Sequence, residues 1–371
     1  MSVLFSEGQL GALKLANRIA VSPMCQYMAK QGAANSWHTV HLGSFALSGA
    51  ALLFIEATAV EAVGRITQGD LGLWDDATES ALRGTLCAIR DVSATPLVLQ
   101  LAHAGRKGSS QVPWEGGQLV PASAPQGWVT EAPSAIPQKE GEAPPQAMDA
   151  AALLRVRGAF VAAARRAARL GIDALELHAA HGYLLHQFLS PLSNRRTDSY
   201  GGTLQNRLRY PLEVFDAVRA AFPSDRPIGI KISATDWMEN GWDLEQSQVL
   251  AEAVRARGID WISVSSGGIS PHQKIRPAPG YQVPFAEAIR RATGLKTIAV
   301  GLIDDARQAE TIIASGQSDF VALARGMLYD PRWPWHAAAQ LGVTIAAPPP
   351  YWRAPPPQHS GLFQSARFGS R

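Results

Sequence analysis

Cysteine is nearly missing: Cys25 and Cys87 are the only two in 371 residues. Two thiols are too few for a disulfide scaffold or a cysteine-ligated zinc cluster. Nor does one sign of charge dominate, since 34 basic residues face 31 acidic ones for a net charge of +3. A nucleic-acid binder needs a concentrated basic stripe, so that class of partner is not expected. Long apolar runs are lacking as well. Stretches such as 50–55 are far short of a bilayer span, and Glu7, Lys14 and Arg18 interrupt any secretory signal core. The expectation is a cytoplasmic enzyme with no membrane partner.

What the chain does contain is a rhythm. Short aliphatic runs at 18–24, 51–57, 96–102, 173–178, 227–233, 260–266, 296–300 and 318–324 read as buried parallel strands. Segments with helical period lie between them. Leu153, Val156, Phe160, Val161 and Ala164 line one stripe, opened by Asp149 and closed by Gly171. Asp243, Asp304 and Asp330 are candidate caps for later helices. Strand and helix alternating eight times is the pattern of a (β/α)8 barrel; an open doubly wound sheet is the alternative, because periodicity does not reveal closure. The expected organisation is a single α/β barrel domain over 1–345 and a proline-rich tail over 346–371. The loop over 109–145, after the third strand, is placed as a lid or wall over the barrel mouth. The tail, with proline runs at 348–350 and 355–357, is expected to be extended and to stand away from the barrel helices.

Chemistry collects where the strands end. The first run ends Ser22-Pro23-Met24-Cys25-Gln26-Tyr27, the second passes Glu56-Ala57, and the third gives Gln100 and then His103-Ala104-Gly105-Arg106-Lys107. The fourth ends His178-Ala179-Ala180-His181-Gly182-Tyr183, and the fifth carries Lys231. The sixth ends Ser265-Ser266-Gly267-Gly268, and Gly301 and Ala324-Arg325-Gly326 close the last two. Barrel enzymes build their sites at this end and often bind phosphate after the last two strands, so a phosphorylated cofactor is expected there. Taken alone, the HxxH pair is open to a metal-ligand or structural reading, although catalytic zinc needs a third protein ligand that this spacing lacks. Lys231 alone is open to a Schiff-base role or to pairing with Glu176 inside the barrel.

These residues, with Gly64-Arg65-Ile66-Thr67, Phe188-Leu189-Ser190-Pro191, Arg196-Thr197-Asp198, Asn206-Arg207 and Pro279-Gly280-Tyr281, resemble the old yellow enzyme family in its thermophilic-like bacterial branch. The resemblance implies non-covalently bound FMN, reduction by NADPH (or NADH), and hydride transfer to Cβ of activated carbonyl or nitro alkenes. It implies that His178 and His181 hold the substrate oxygen and bind phenolic ligands, and that Tyr183 protonates Cα. It places Ser22, Pro23, Met24, Cys25, Ala57 and Gln100 around the flavin ring, Tyr27 in the substrate pocket, and Gly301, Ala324 and Arg325 at the phosphate. Two positions depart from the family: Lys231 stands where arginine is usual at the flavin N1/O2 edge, and Ala324 where glycine is usual. An alanine forced to positive φ there would cost about 1 kcal/mol. The tail arginine, Arg353, matches one that relatives insert into a neighbouring subunit's active site. A homodimer, or a tetramer built of dimers, follows as the expected assembly.

Overall fold

The computed structural model describes residues 2–367. Its eight central strands are β1 (Ile19–Val21), β2 (Leu52–Ala59), β3 (Leu97–Ala102), β4 (Ala174–Ala179), β5 (Ile228–Ser233), β6 (Trp261–Ser265), β7 (Lys296–Ala299) and β8 (Phe320–Leu323). They run parallel in chain order and close into a barrel. Val321 of β8 pairs with Ile19 of β1, which removes the sheet edge and excludes the open sheet. Helices α1 (Ser36–Ala46), α2 (Asp76–Arg90) and α3 (Ala150–Arg169) cover the first crossovers. After β4 come α4 (Leu184–Leu189) and α5 (Leu204–Ala221), then α6 (Leu244–Arg255), α7 (Val283–Thr293) and α8 (Ala306–Ala314) in turn. α9 (Arg325–Tyr329) and α10 (Trp333–Leu341) follow β8.

Helix starts are set by local chemistry. Asp149, Thr203 and Asp243 accept the third backbone N–H of α3, α5 and α6. Asp305, not the expected Asp304, caps α8 by accepting from Gln308 N at 2.8 Å. Asp330 accepts from Arg332 N ahead of α10, whose first residue is Trp333.

The two ends of the barrel differ. At the N-terminal end the interior is plugged by Leu10, Leu52, Phe54, Trp261 and Phe320, all essentially buried, beneath an N-terminal hairpin pairing Gly8–Leu10 with Leu13–Leu15. Gly229 of β5 makes room for the plug, since a Cβ there would lie 2.0 Å from the Trp261 ring. With that end packed, the C-terminal end is the free face.

The 109–145 loop lies against that face with little regular structure beyond a short parallel pairing of Glu131–Ala132 with Gln146–Ala147. Arg65 sits between the Trp74 and Trp128 rings, 5.4 and 5.2 Å from their centroids, and ties the loop to the barrel. The tail departs from the sequence expectation. It turns twice in short 3-10 segments, Pro349–Tyr351 and Pro357–His359, and folds back onto α10. Phe363 and Tyr351 meet the Trp335 ring at 4.9 and 5.5 Å, and Ile345 pairs with Phe363. Proline restricts helix interiors but fits the first turn of a 3-10 segment, and burying Leu362 and Phe363 outweighs extension. Among the described residues no helix is long and apolar enough to cross a membrane.

Candidate active site

Each strand delivers its polar residue at the open end. β2 carries a bulge at Glu56–Ala57, where its register with β3 shifts between Ile55 and Thr58. The bulge re-aims this stretch toward the mouth. In the ladder, Gln100 lies beside Glu176, and Lys231 is flanked by His178 on β4 and Ser263 on β6.

The loop after β4 is held tightly. His181 has φ 59 and Gly182 φ 74, a left-handed pair that turns the chain sharply between the two imidazoles and Tyr183. A Cβ on Gly182 would lie 2.1 Å from Gly268 O, and one on Gly268 would lie 2.4 Å from His181 backbone, so both positions require glycine. The β4 and β6 loops interlock at this point. Lys107 fastens them, donating from Nζ to His181 O at 2.8 Å and to Gly268 O at 3.1 Å.

The turn brings His178, His181 and Tyr183 together. The His178 ring meets those of His181 and Tyr183 edge-on at 5.1 and 4.8 Å. Burial, then neighbouring positive charge from Lys231 and Lys107 among others, pushes both histidines well below the usual imidazole range. They are therefore neutral at pH 7 and can serve as hydrogen-bond donors. Burial pushes the Tyr183 phenol up, so it keeps its proton until a strong base forms next to it.

A cavity of about 230 Å³ opens beside this group. Its walls include Ser22, Lys231, Gly301, Ala324, Arg325 and Gly326. Gly301 has φ +117, and a Cβ there would lie 2.8 Å from Gln282 Nε2. Ala324 has φ −107, so the alanine departure carries no left-handed strain and the conditional penalty does not arise. The donor set suits a phosphorylated flavin: a guanidinium and backbone amides at one end, a buried ammonium at the other. Lys231 Nζ donates to Ser22 Oγ at 3.4 Å. Glu176 is taken up by Gln100 at 2.7 Å, by Ser263, and by Trp261 at 3.4 Å. Burial moves Lys231 down and Glu176 up, each toward its neutral form, and their mutual attraction opposes both shifts. A larger cleft of about 720 Å³ lies at the opposite end of the barrel, under the tail, away from all of these groups.

Cys25 and Tyr27 line the mouth beside the bulge. Burial, then the Asp70 and Glu56 charges, pushes the Cys25 thiol well up, so it is neutral and not a thiolate. Glu56 accepts from Gln26 N at 2.9 Å and fixes the Cys25–Tyr27 segment. The Tyr27 ring meets Trp114 of the lid loop at 6.0 Å.

The structure thus brings together Ser22, Pro23, Cys25, Tyr27, Ala57, His178, His181, Tyr183, Lys231, Gly301, Ala324 and Arg325 at one end of one barrel. Met24 lies on the same strand end, against the outer core. Gln100 lies below them in the barrel. Arg353 is exposed on the tail and does not line the cavity. Sequence reasoning gave no role to Lys107 or Ser265, which hold the site from other strands. A further cluster joins Glu61, His103 and Glu131. Its positive charge comes from Arg155, which pairs with both carboxylates.

The chain is similar to known proteins over most of its length. The family model described as NADH:flavin oxidoreductase / NADH oxidase matches residues 3–343. An NADPH dehydrogenase of Geobacillus thermodenitrificans (strain NG80-2) is 43% identical over 354 residues, 95% of this chain and 98% of its own. One from Listeria innocua serovar 6a is also 43% identical, over 358 residues, 95% of this chain and 99% of its own. Among solved structures, morphinone reductase superposes with a TM-score of 0.75 at 27% identity, covering 99% of this chain and 94% of that one. A 2-naphthoyl-CoA reductase complex gives a TM-score of 0.82 at 23% identity over 92% of this chain and 52% of the other, a likeness of fold.

Proposed function

The chain belongs to the NADH:flavin oxidoreductase / NADH oxidase family, the old yellow enzymes, and on that premise we propose that it is an FMN-dependent ene-reductase taking its electrons from NADPH, with NADH as a second donor. The observation that carries the reading is the meeting of the His178, His181 and Tyr183 rings, 5.1 and 4.8 Å apart, beside a cavity lined by Lys231 and Arg325. Bound FMN would supply the hydride relay between nicotinamide and alkene.

The protein's own residues do the rest. Arg325 and the amides around Gly301 and Ala324 would hold the phosphate, and Ser22, Pro23, Met24, Ala57 and Gln100 would surround the ring. Lys231 would supply positive charge to the bound ring; as a point donor it lacks the planar fork of arginine. Cys25 offers a weak hydrogen bond nearby. His178 and His181 hold the oxygen of an α,β-unsaturated carbonyl or nitro alkene. That oxygen gains charge during reduction, so two aimed donors stabilise the transition state more than the ground state. Tyr183 gives its phenolic proton to Cα and recovers one from water. Tyr27 lines the pocket that nicotinamide and alkene occupy in turn.

The assembly proposed is a homodimer, or a tetramer of dimers, in which Arg353 reaches the neighbouring copy's pocket near Tyr27. Exposed Trp37 and Val40 on α1 and Leu328 and Tyr329 on α9 support a covered face.

Absorption spectroscopy tests the function. Purified protein is expected to be yellow, to bleach anaerobically with NADPH, and to recover colour on adding cyclohexenone, with parallel double-reciprocal plots. Colourless protein, or bleached protein that no activated alkene reoxidises, overturns the reading.

A further inference from the structure

The hydrogen bonds through the histidine pair run in one direction. Ala180 N–H donates to His178 Nδ1 at 3.2 Å, so the neutral His178 ring carries its proton on Nε2. That nitrogen lies 3.3 Å from His181 Nδ1, which is then the acceptor. His181 therefore carries its own proton on Nε2, 2.8 Å from Ser265 Oγ. Ser265 passes its hydrogen on to Gln282 Oε1 at 3.3 Å.

Such a chain offers one donor to an incoming oxygen, not two. When His178 turns its N–H onto a ligand, His181 presents a bare lone pair at Nδ1, which repels oxygen. A second proton on His181 is the costly remedy, because the ring is buried and Lys231, Lys107 and His186 all oppose added charge. The cheaper remedy is the other neutral tautomer. His178 cannot adopt it, because a backbone N–H fixes its Nδ1 as an acceptor. His181 can, because its partner is a hydroxyl, which accepts from N–H or donates to a lone pair at the same distance. Gln282 Oε1 is not orphaned by the reversal, since Ser266 Oγ also donates to it at 2.6 Å.

We propose that Ser265 is a positioning residue whose hydroxyl reverses when an oxygen ligand binds, moving the His181 proton from Nε2 to Nδ1 so that both imidazoles donate to the ligand. For a neutral carbonyl the proton count is unchanged, the two ring nitrogens exchanging protons with water. For a phenol bound as phenolate, the phenolic proton goes to Nδ1 and the Nε2 proton leaves to water. The inference rests on the oxygen-holding role given to the pair under the proposed function.

The test uses FMN-loaded enzyme with 15N-labelled histidine rings and p-hydroxybenzaldehyde as the probe. Nitrogen shifts are expected to show His181 protonated at Nε2 alone and at Nδ1 with the phenol. In Ser265→Ala the phenol is expected to bind about tenfold more weakly at unchanged FMN content, the loss typical of one hydrogen bond at a charged oxygen, and Ser265→Thr is expected to restore it. A His181 that stays protonated at Nε2 in the complex, or a Ser265→Ala enzyme binding the phenol as tightly as its parent, overturns the inference. A parent enzyme that gives no long-wavelength charge-transfer band with the phenol overturns the underlying function instead.

Discussion

The Lys107 ammonium lies 5.1 Å from the centroid of the Tyr183 ring while donating to the His181 and Gly268 carbonyls. It is at once the fastener of two loops and the cation facing the proposed acid. Burial, then the nearby Arg106 and Lys139 charges, pushes it down to about 8.

Lys107 has a consequence for the pH profile. While charged it favours the tyrosinate left when Tyr183 gives up its proton. As pH rises through about 8 the ammonium loses its charge, and alkene reduction is expected to slow. Lys107→Met is expected to slow reoxidation by cyclohexenone about tenfold at pH 7, a loss of about 1.4 kcal/mol, and to flatten the alkaline limb. Stopped-flow reoxidation across pH checks this, and an unchanged alkaline limb in the variant refutes it.

Tyr183→Phe separates the two half-reactions. Reoxidation by the alkene is expected to fall by about 10²-fold or more, the usual worth of a positioned acid, while NADPH bleaches the flavin at the parental rate. Equal losses in both half-reactions would remove Tyr183 from the acid role.

Glu61 makes an acid-stability prediction. Burial pushes its carboxyl up, but hydrogen bonds from His103 and Arg155 and the Arg155 charge outweigh that and hold it at about 2. A depressed carboxyl stabilises the fold fully above its ordinary value near 4.5, and the contribution is lost as pH falls toward 2. Glu61→Gln is expected to lower the denaturation midpoint at pH 7 and to reduce its fall between pH 4.5 and 2. A variant with the parental acid limb would assign that limb to other carboxyls.

The tail predicts two separable losses. Phe363, packed on Trp335, anchors it, and Phe363→Ala is expected to cost about 3 kcal/mol in chemical denaturation. Arg353→Ala is expected to raise KM for the alkene with FMN content unchanged, and truncation after Ala347 to weaken the dimer in light scattering. A monomer with full activity contradicts the assembly proposed.

The barrel was legible because each buried strand is a short aliphatic run that stops at glycine or a polar residue. The expected 173–178 strand, for instance, is Ala174–Ala179. The same punctuation exposed His178, His181 and Tyr183. Asp304 and Asp305 are adjacent carboxylates, and a 3.6-residue period cannot decide between them. What stayed hidden depends on contacts between distant segments. Lys107 reaches a carbonyl 74 residues away and Ser265 an imidazole 84 residues away, and neither carries a local signature. The tail was misplaced because its prolines announce backbone restriction, while Phe363 and Trp335 settle their pairing only in three dimensions.

The glycine interlock also bears on the order of events during synthesis. Gly182 and Gly268 belong to loops on either side of β5, so a nascent chain carries both imidazoles and the phenol long before their brace exists. A half-made barrel has the residues without the left-handed turn that aims them, and such long-range closure forms late and slowly. Competence to bind an oxygen ligand therefore reports that the strands have paired at least from β4 through β6. In a refolding time course, phenol binding is expected to appear with the last phase, after the helical signal has recovered.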